Sequence, residues 1–95
     1  MKKGYWIAHV DVTDPENYPK YLAAGAAAYE KYDANFLVRG GECTGPEGPI
    51  RSRHVVVEFE SYQKALDCYH SPEYQAAAKL RQKYAKSDVI IVEGT

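Results

Sequence analysis

The chain has 95 residues and a mass of 10.7 kDa, which leaves room for one hydrophobic core and not two. Hydrophobic residues make up 45% and charged residues 26%, a globular balance that excludes a disordered chain. Twelve Lys and Arg against 13 Asp and Glu give a net charge of −1, so nothing in the charge balance points to nucleic acid or an anionic membrane.

Tyr5 to Val12 alternates: Trp6, Ala8, Val10 and Val12 form a dry face, and Tyr5, Ile7, His9 and Asp11 a mixed one, as in a strand with one face on a core. Asp14-Pro15 has the form of a helix start, a capping side chain followed by Pro. The helix runs to about Tyr32, with Tyr18, Tyr21, Leu22, Gly25, Tyr29 and Tyr32 on one stripe. Pro19 lacks the N–H that would bond back to residue 15, so either the first turn is distorted or the regular helix begins near Pro19. Asn35 to Arg39 reads as a second strand, with Phe36 and Val38 alternating with Leu37 and Arg39. Gly40-Gly41 and the Gly45-to-Pro49 stretch mark a long, turn-rich connection.

Arg53 to Glu60 reads as a third strand, with Val55, Val57 and Phe59 on one side and His54, Val56 and Glu58 on the other. Ser61 then caps a helix whose apolar stripe is Tyr62, Ala65, Leu66 and Tyr69. Ser71-Pro72-Glu73 restarts it, and Glu73, Ala77, Leu80 and Tyr84 share one side of the second piece. Asp88 to Glu93 carries the run Val89-Ile90-Ile91-Val92, a strand expected to be buried on both sides.

The order β-α-β-β-α-β is that of a ferredoxin-like α+β fold, a single domain over residues 1–95 with an antiparallel four-stranded sheet whose first and third strands are central. The last strand then lies at an edge although both its faces are apolar, an aggregation hazard unless it is covered. A second copy of the chain is the economical cover. The expected assembly is a homodimer in which two sheets meet as a dimeric α+β barrel.

Six segments occur in register: Gly-Tyr-Trp-Ile-Ala (4–8), Asp-Val-Thr-Asp-Pro-Glu (11–16), Phe-Leu-Val-Arg-Gly-Gly (36–41), Val-Val-Val-Glu-Phe (55–59), Cys-Tyr-His-Ser-Pro-Glu-Tyr-Gln (68–75) and Ile-Val-Glu-Gly (91–94). Together they resemble domain-of-unknown-function family 1330, short bacterial proteins of the dimeric α+β barrel superfamily, over nearly the whole chain. The resemblance implies the fold and the homodimer. It implies no reaction and no catalytic residues. Pro19 departs from the more usual non-proline stretch of the first helix.

Strand parity puts His9, Arg39, Glu58 and His54 on the face away from the helices, toward the expected barrel interior. Neighbouring strands lie ~4.8 Å apart, so Glu58 would stand beside Arg39 and His9 if the register aligns. Arg39 is then a candidate to grip a substrate carboxylate, and His9 and Glu58 are the candidate catalytic pair. Such a set would move a proton on a small anionic carbonyl compound without a cofactor. The same residues equally describe a non-catalytic polar network holding two sheets in register. At the helix break, Tyr69, Ser71 and Tyr74 are candidate substrate-binding groups beside a helix N-terminus; the plainer reading is a capped restart with tyrosine packed on the sheet.

The tyrosine stripe of the first helix reads as core before it reads as a substrate box. His9, His54 and His70 lack metal-ligand spacing; zinc held by His9, His54 and Glu58 is the one metal arrangement weighed, and neither metal nor cofactor is expected. Cys43 and Cys68 have no metal or redox spacing and read as reduced thiols of a cytoplasmic protein. Gly4 to Val12 contains His9 and Asp11, unlike the apolar core of a secretion signal, and no run approaches the ~20 apolar residues of a membrane helix. An RNA-binding module of this topology would need stacking aromatics where His54 and Val56 stand. The partners expected are thus a second copy and a small-molecule ligand, not nucleic acid or membrane.

Overall fold

A computed structural model describes every residue from Met1 to Thr95. The elements run β1 (Gly4–Val12), α1 (Tyr18–Lys31), β2 (Asn35–Arg39), β3 (Arg53–Phe59), α2 (Tyr62–His70), α3 (Pro72–Tyr84) and β4 (Ala85–Glu93). The strands form one antiparallel sheet in the order β2-β3-β1-β4, with the helices on one face and the other face bare. This is the ferredoxin-like arrangement, with its second helix split in two at Ser71. No helix is long and apolar enough to cross a membrane.

Local chemistry explains the boundaries. Asp14 does not open a regular helix. Its carboxylate accepts from Asn17 N at 3.2 Å and from Asn17 Nδ2 at 2.8 Å, making a turn, and α1 begins at Tyr18. Pro19 therefore falls in the first helical turn, where a missing N–H costs nothing. Ser61 Oγ accepts from Lys64 N, and Ser71 Oγ accepts from Tyr74 N, so both helices of the split pair carry N-caps. α3 passes into β4 without a loop, and the Tyr84 carbonyl left open at the helix end accepts from Thr13 N and Asp14 N at 2.9 and 3.0 Å. Pairing with β1 continues back to Val12↔Ala85, which makes β4 three residues longer than its apolar run predicts.

The core lies between the sheet and the helices. Trp6 is its centre: the indole donates to Ala65 O at 2.9 Å and packs against Phe59, Tyr74 and Tyr69 with ring centroids 5.0, 4.6 and 5.8 Å away. α1 buries Tyr18, Tyr21 and Gly25 of the expected stripe together with Ala28, and Leu22, Tyr29 and Tyr32 are half-buried. α3 is turned from its expected side. It buries Tyr74, Ala77, Ala78, Arg81 and Tyr84, and Leu80 is only half-buried.

β4 is not buried on both sides within one chain. Val89 and Ile91 are half-buried toward the helices, while Ile90 and Val92 are 54% and 40% exposed on the bare face. On that face Val38 pairs with Val56, Val56 with Ile7, and Ile7 with Ile90. An apolar row thus crosses all four strands.

Candidate functional site

The register separates the residues that sequence parity brought together. Glu58 lies opposite Tyr5, not His9; Tyr5 Oη donates to its carboxylate at 3.1 Å, and Asn35 Nδ2 donates at 3.5 Å. Burial, then the adjacent Glu58 carboxylate, pushes the Tyr5 phenol above its ordinary range. His9 lies opposite His54, and their Nδ1 atoms are 2.7 Å apart, one ring donating and the other accepting. Three residues of strand separate Glu58 from His54, so the three groups weighed as a zinc site do not converge.

Arg39 is displaced furthest. β2 contains a bulge between Phe36 and Val38: Phe36 pairs with Val57, but Val38 pairs with Val56. One extra residue, Leu37, reverses the alternation beyond it. Val38 therefore turns to the bare face, and Arg39 turns to the helix side, its guanidinium 4.2 Å from the Phe36 ring centroid. The expectation that Arg39, His9 and Glu58 share one face is corrected. Arg39 lies on the opposite side of the sheet from the other two.

On the helix side, Arg39 stands at a cavity between the sheet and helices α1 and α3. The cavity is small, about 40 Å³, and open to solvent at its mouth. The walls are aromatic and aliphatic, among them Trp6, Tyr29, Phe36 and Val57. Two more arginines line it, Arg53 from the start of β3 and Arg81 from α3. None of the three joins an ion pair; the chain's salt bridges belong to Lys31, Arg51 and Lys64. No carboxylate and no imidazole lines the cavity.

Each arginine is seated by its neighbours. Arg81 is 4% exposed, and its Nη1 donates to Tyr74 Oη at 2.6 Å and its Nε to Ser87 Oγ at 3.1 Å. Arg53 packs beside the Tyr18 ring, 5.9 Å from its centroid, and its buried Nε has no partner. Gly40 closes β2 at φ 69°, and a Cβ there would collide with the Arg53 guanidinium.

Three phenols connect to Arg81. Tyr74 Oη lies 2.8 Å from Tyr21 Oη, which lies 3.3 Å from Tyr29 Oη. Burial, with the neighbouring phenols, holds Tyr29 and Tyr74 far above the ordinary phenol range, so their hydroxyls keep their protons. Of the helix-break candidates, Tyr74 lines the cavity and Tyr69 packs on Trp6. Ser71 is turned inward; its hydroxyl donates to Cys68 O at 2.6 Å while it caps α3, so both its donor and its acceptor are engaged within the chain.

Sequence reading missed Arg53, Arg81, Tyr21 and Tyr29. Arg53 carried a signal: it has the parity of Val55, Val57 and Phe59, the dry face of its strand. Arg81 stands three and four residues from Ala78 and Ala77 and seven from Tyr74, which places it on a buried stripe.

Residues 3–95 match the family model described as "Domain of unknown function (DUF1330)". No curated protein matches the sequence. Among solved structures, a Rhodopseudomonas palustris protein of unknown function superposes with a TM-score of 0.76 at 18% identity, covering 99% of this chain and 83% of its own. SnoaB of Streptomyces nogalater, a cofactor-independent oxygenase, gives 0.65 at 10% identity over 100% and 95%. A dimeric ferredoxin-like protein of unknown function from Thermobifida fusca YX gives 0.55 at 14% identity over 97% and 91%. At these identities the likeness is one of fold.

Proposed function

The chain belongs to the DUF1330 family, and from its geometry we propose that it is a homodimer binding one small planar organic anion with a carbonyl group in the helix–sheet cavity of each subunit. The carrying observation is the set of three arginines on one aromatic cavity with no carboxylate to neutralise them. Arg81 is a buried cation without the counter-charge such a group normally finds, the half-buried Arg53 has an Nε without a partner, and Arg39 is exposed at the mouth. A ligand carboxylate answers both needs, and guanidinium groups hold carboxylates through paired hydrogen bonds. Flat aromatic walls favour a planar molecule.

The cavity offers cations and hydroxyls but no base. The reading is therefore of binding and charge stabilisation, not of proton abstraction inside the cavity. A proton-transfer role for His9 or Glu58 would have to operate on the bare face, apart from this ligand. The homodimer rests on the apolar row of that face and on a fold shared with a protein described as dimeric. A dimer made this way leaves both cavities open, because they lie on the far side of each sheet. That one fold-relative is described as a cofactor-independent oxygenase is an analogy of fold, consistent with small-molecule work without a cofactor.

Thermal unfolding with a panel of small acids tests the binding. Benzoate is expected to raise the midpoint and neutral benzamide to leave it unchanged, since a ligand of the native state alone stabilises it. Arg53→Gln is expected to weaken benzoate binding by about tenfold or more. If no small acid shifts the midpoint, or Arg53→Gln binds benzoate as before, the reading is wrong.

A further inference from the structure

We propose that Tyr29 selects the ligand: its hydroxyl, at the open end of a hydrogen-bond chain anchored on Arg81, donates to a second oxygen of the bound anion, which makes the ligand a 2-oxo carboxylate. The inference rests on the anion-binding reading above and deepens it. Three observations carry it.

The first is a count of protons. A guanidinium can only donate, so Tyr74 Oη accepts from Arg81 Nη1. The three phenols Tyr74, Tyr21 and Tyr29 hold three protons, but only two oxygen–oxygen links join them. One O–H is therefore left without an acceptor in the protein. With Tyr74 donating to Tyr21, and Tyr21 to Tyr29, the surplus donor is Tyr29. The Tyr21–Tyr29 link is the longer one, 3.3 Å against 2.8 Å, and Tyr29 is half-buried where Tyr21 and Tyr74 are buried. The weakly held end of the chain is the end a ligand can reach. Burial keeps Tyr29 and Tyr74 protonated, so both keep a hydroxyl hydrogen to donate.

The second is a glycine. Gly25 is the one glycine in the run Ala23-Ala24-Gly25-Ala26-Ala27-Ala28, buried in mid-helix where alanine is the better helix former. A Cβ there would sit 3.1 to 3.3 Å from Cε2, Cζ and Oη of Tyr29. The phenol folds back over its own helix into space that a methyl at position 25 would crowd, pushing the ring aside. The local cost of a helical glycine thus fixes the place of one hydroxyl.

The third is the size of the chamber. In a cavity of about 40 Å³, an oxygen reached by Tyr29 must lie close to a carboxylate gripped by the arginines. A carbonyl adjacent to the carboxylate meets that limit. Because the lining arginines can only donate and the phenol chain has one O–H to spare, an acceptor-rich ligand is the one that leaves none of these donors unpaired.

Calorimetric titration of the full chain with benzoylformate and phenylacetate tests the proposal, since these acids differ by one carbonyl oxygen. The wild type is expected to bind benzoylformate at least about tenfold more tightly. Tyr29→Phe is expected to erase the preference and leave phenylacetate bound as before. Gly25→Ala is expected to reduce the preference while the melting midpoint stays or rises. A preference that survives Tyr29→Phe, or equal binding by the wild type, overturns the proposal and leaves the arginine reading standing. If neither acid binds the wild type, the arginine reading falls and takes the proposal with it. Should Tyr29→Phe not fold, Gly25→Ala decides, and an undiminished preference there overturns the proposal.

Discussion

Arg81 Nη1 lies 2.6 Å from Tyr74 Oη, and neither group meets a carboxylate. A guanidinium this deep is held by a phenol, a serine hydroxyl and the faces of the Tyr21 and Tyr74 rings, 5.8 and 6.0 Å from their centroids. The two halves of the pair differ in what they leave behind when removed. Tyr74→Phe strands a buried charged donor and is expected to destabilise the fold by about 1–3 kcal/mol. Arg81→Met removes the charge and keeps the volume, so its stability is expected within about 1 kcal/mol of wild type while anion binding is weakened. Urea unfolding of the two variants checks the asymmetry.

The proposed subunit contact lies on the bare face, along the apolar row Val38–Val56–Ile7–Ile90. Ile90→Lys puts a charge into that row at a position 54% exposed in one chain, where it costs the protomer little. The expected product is a folded monomer of near-native circular dichroism, seen by analytical ultracentrifugation against a wild-type dimer. A wild type that sediments as a monomer at micromolar concentration would contradict the contact.

Gly4 is constrained from outside its strand. A Cβ there would fall 2.5 Å from Ser61 O and 2.6 Å from Tyr62 Cα, both main-chain atoms at the start of α2. Neither can move without shifting the helix whose Ala65 carbonyl accepts from Trp6. Gly4→Ala is expected to cost about 2–3 kcal/mol, read from the urea midpoint.

Asp11 ties the end of the β2–β3 connection to the sheet, accepting from Ser52 N at 2.9 Å and from Arg51 Nη1 at 3.0 Å. The Ser52 amide, and after it Arg51, hold the carboxyl below its ordinary range against a smaller effect of burial. Its folded value is below its unfolded one, near about 3.9. The contribution to stability is therefore complete above the unfolded value and is lost as pH falls through the folded one. Asp11→Asn is expected to be less stable than wild type at pH 6, with the gap closing below about pH 4. Urea unfolding at both pH values reads this directly.

The fold was legible because it depends on features that a sequence states. Alternation marked β1 and β3, Ser-Pro-Glu marked the restart of α3, and the tyrosine stripe marked the buried side of α1. The candidate site was legible only in fragments. Arg39 and Tyr74 line the cavity, but Arg39 gets there by a bulge that no residue type announces. His9 and Glu58 share a face as parity requires, yet register sets them on different partners, and register follows from the whole β1–β3 pairing. Arg81 was hidden by its chemistry, since a long charged residue on a helix is usually solvated.

The bulge at Leu37 makes register, not residue identity, the variable that decides where a positive charge goes. Pairing Leu37 with Val56 would give strict alternation and carry the Arg39 guanidinium from the helix-side cavity to the bare face, with Val38 moving the opposite way. Deleting Leu37 would instead leave Val38 opposite Val56 and Arg39 opposite Val55, each on the face it now holds. Among related chains, a gap of one residue at this point would therefore keep the charge in place, whereas a strand of the same length without the bulge would move it.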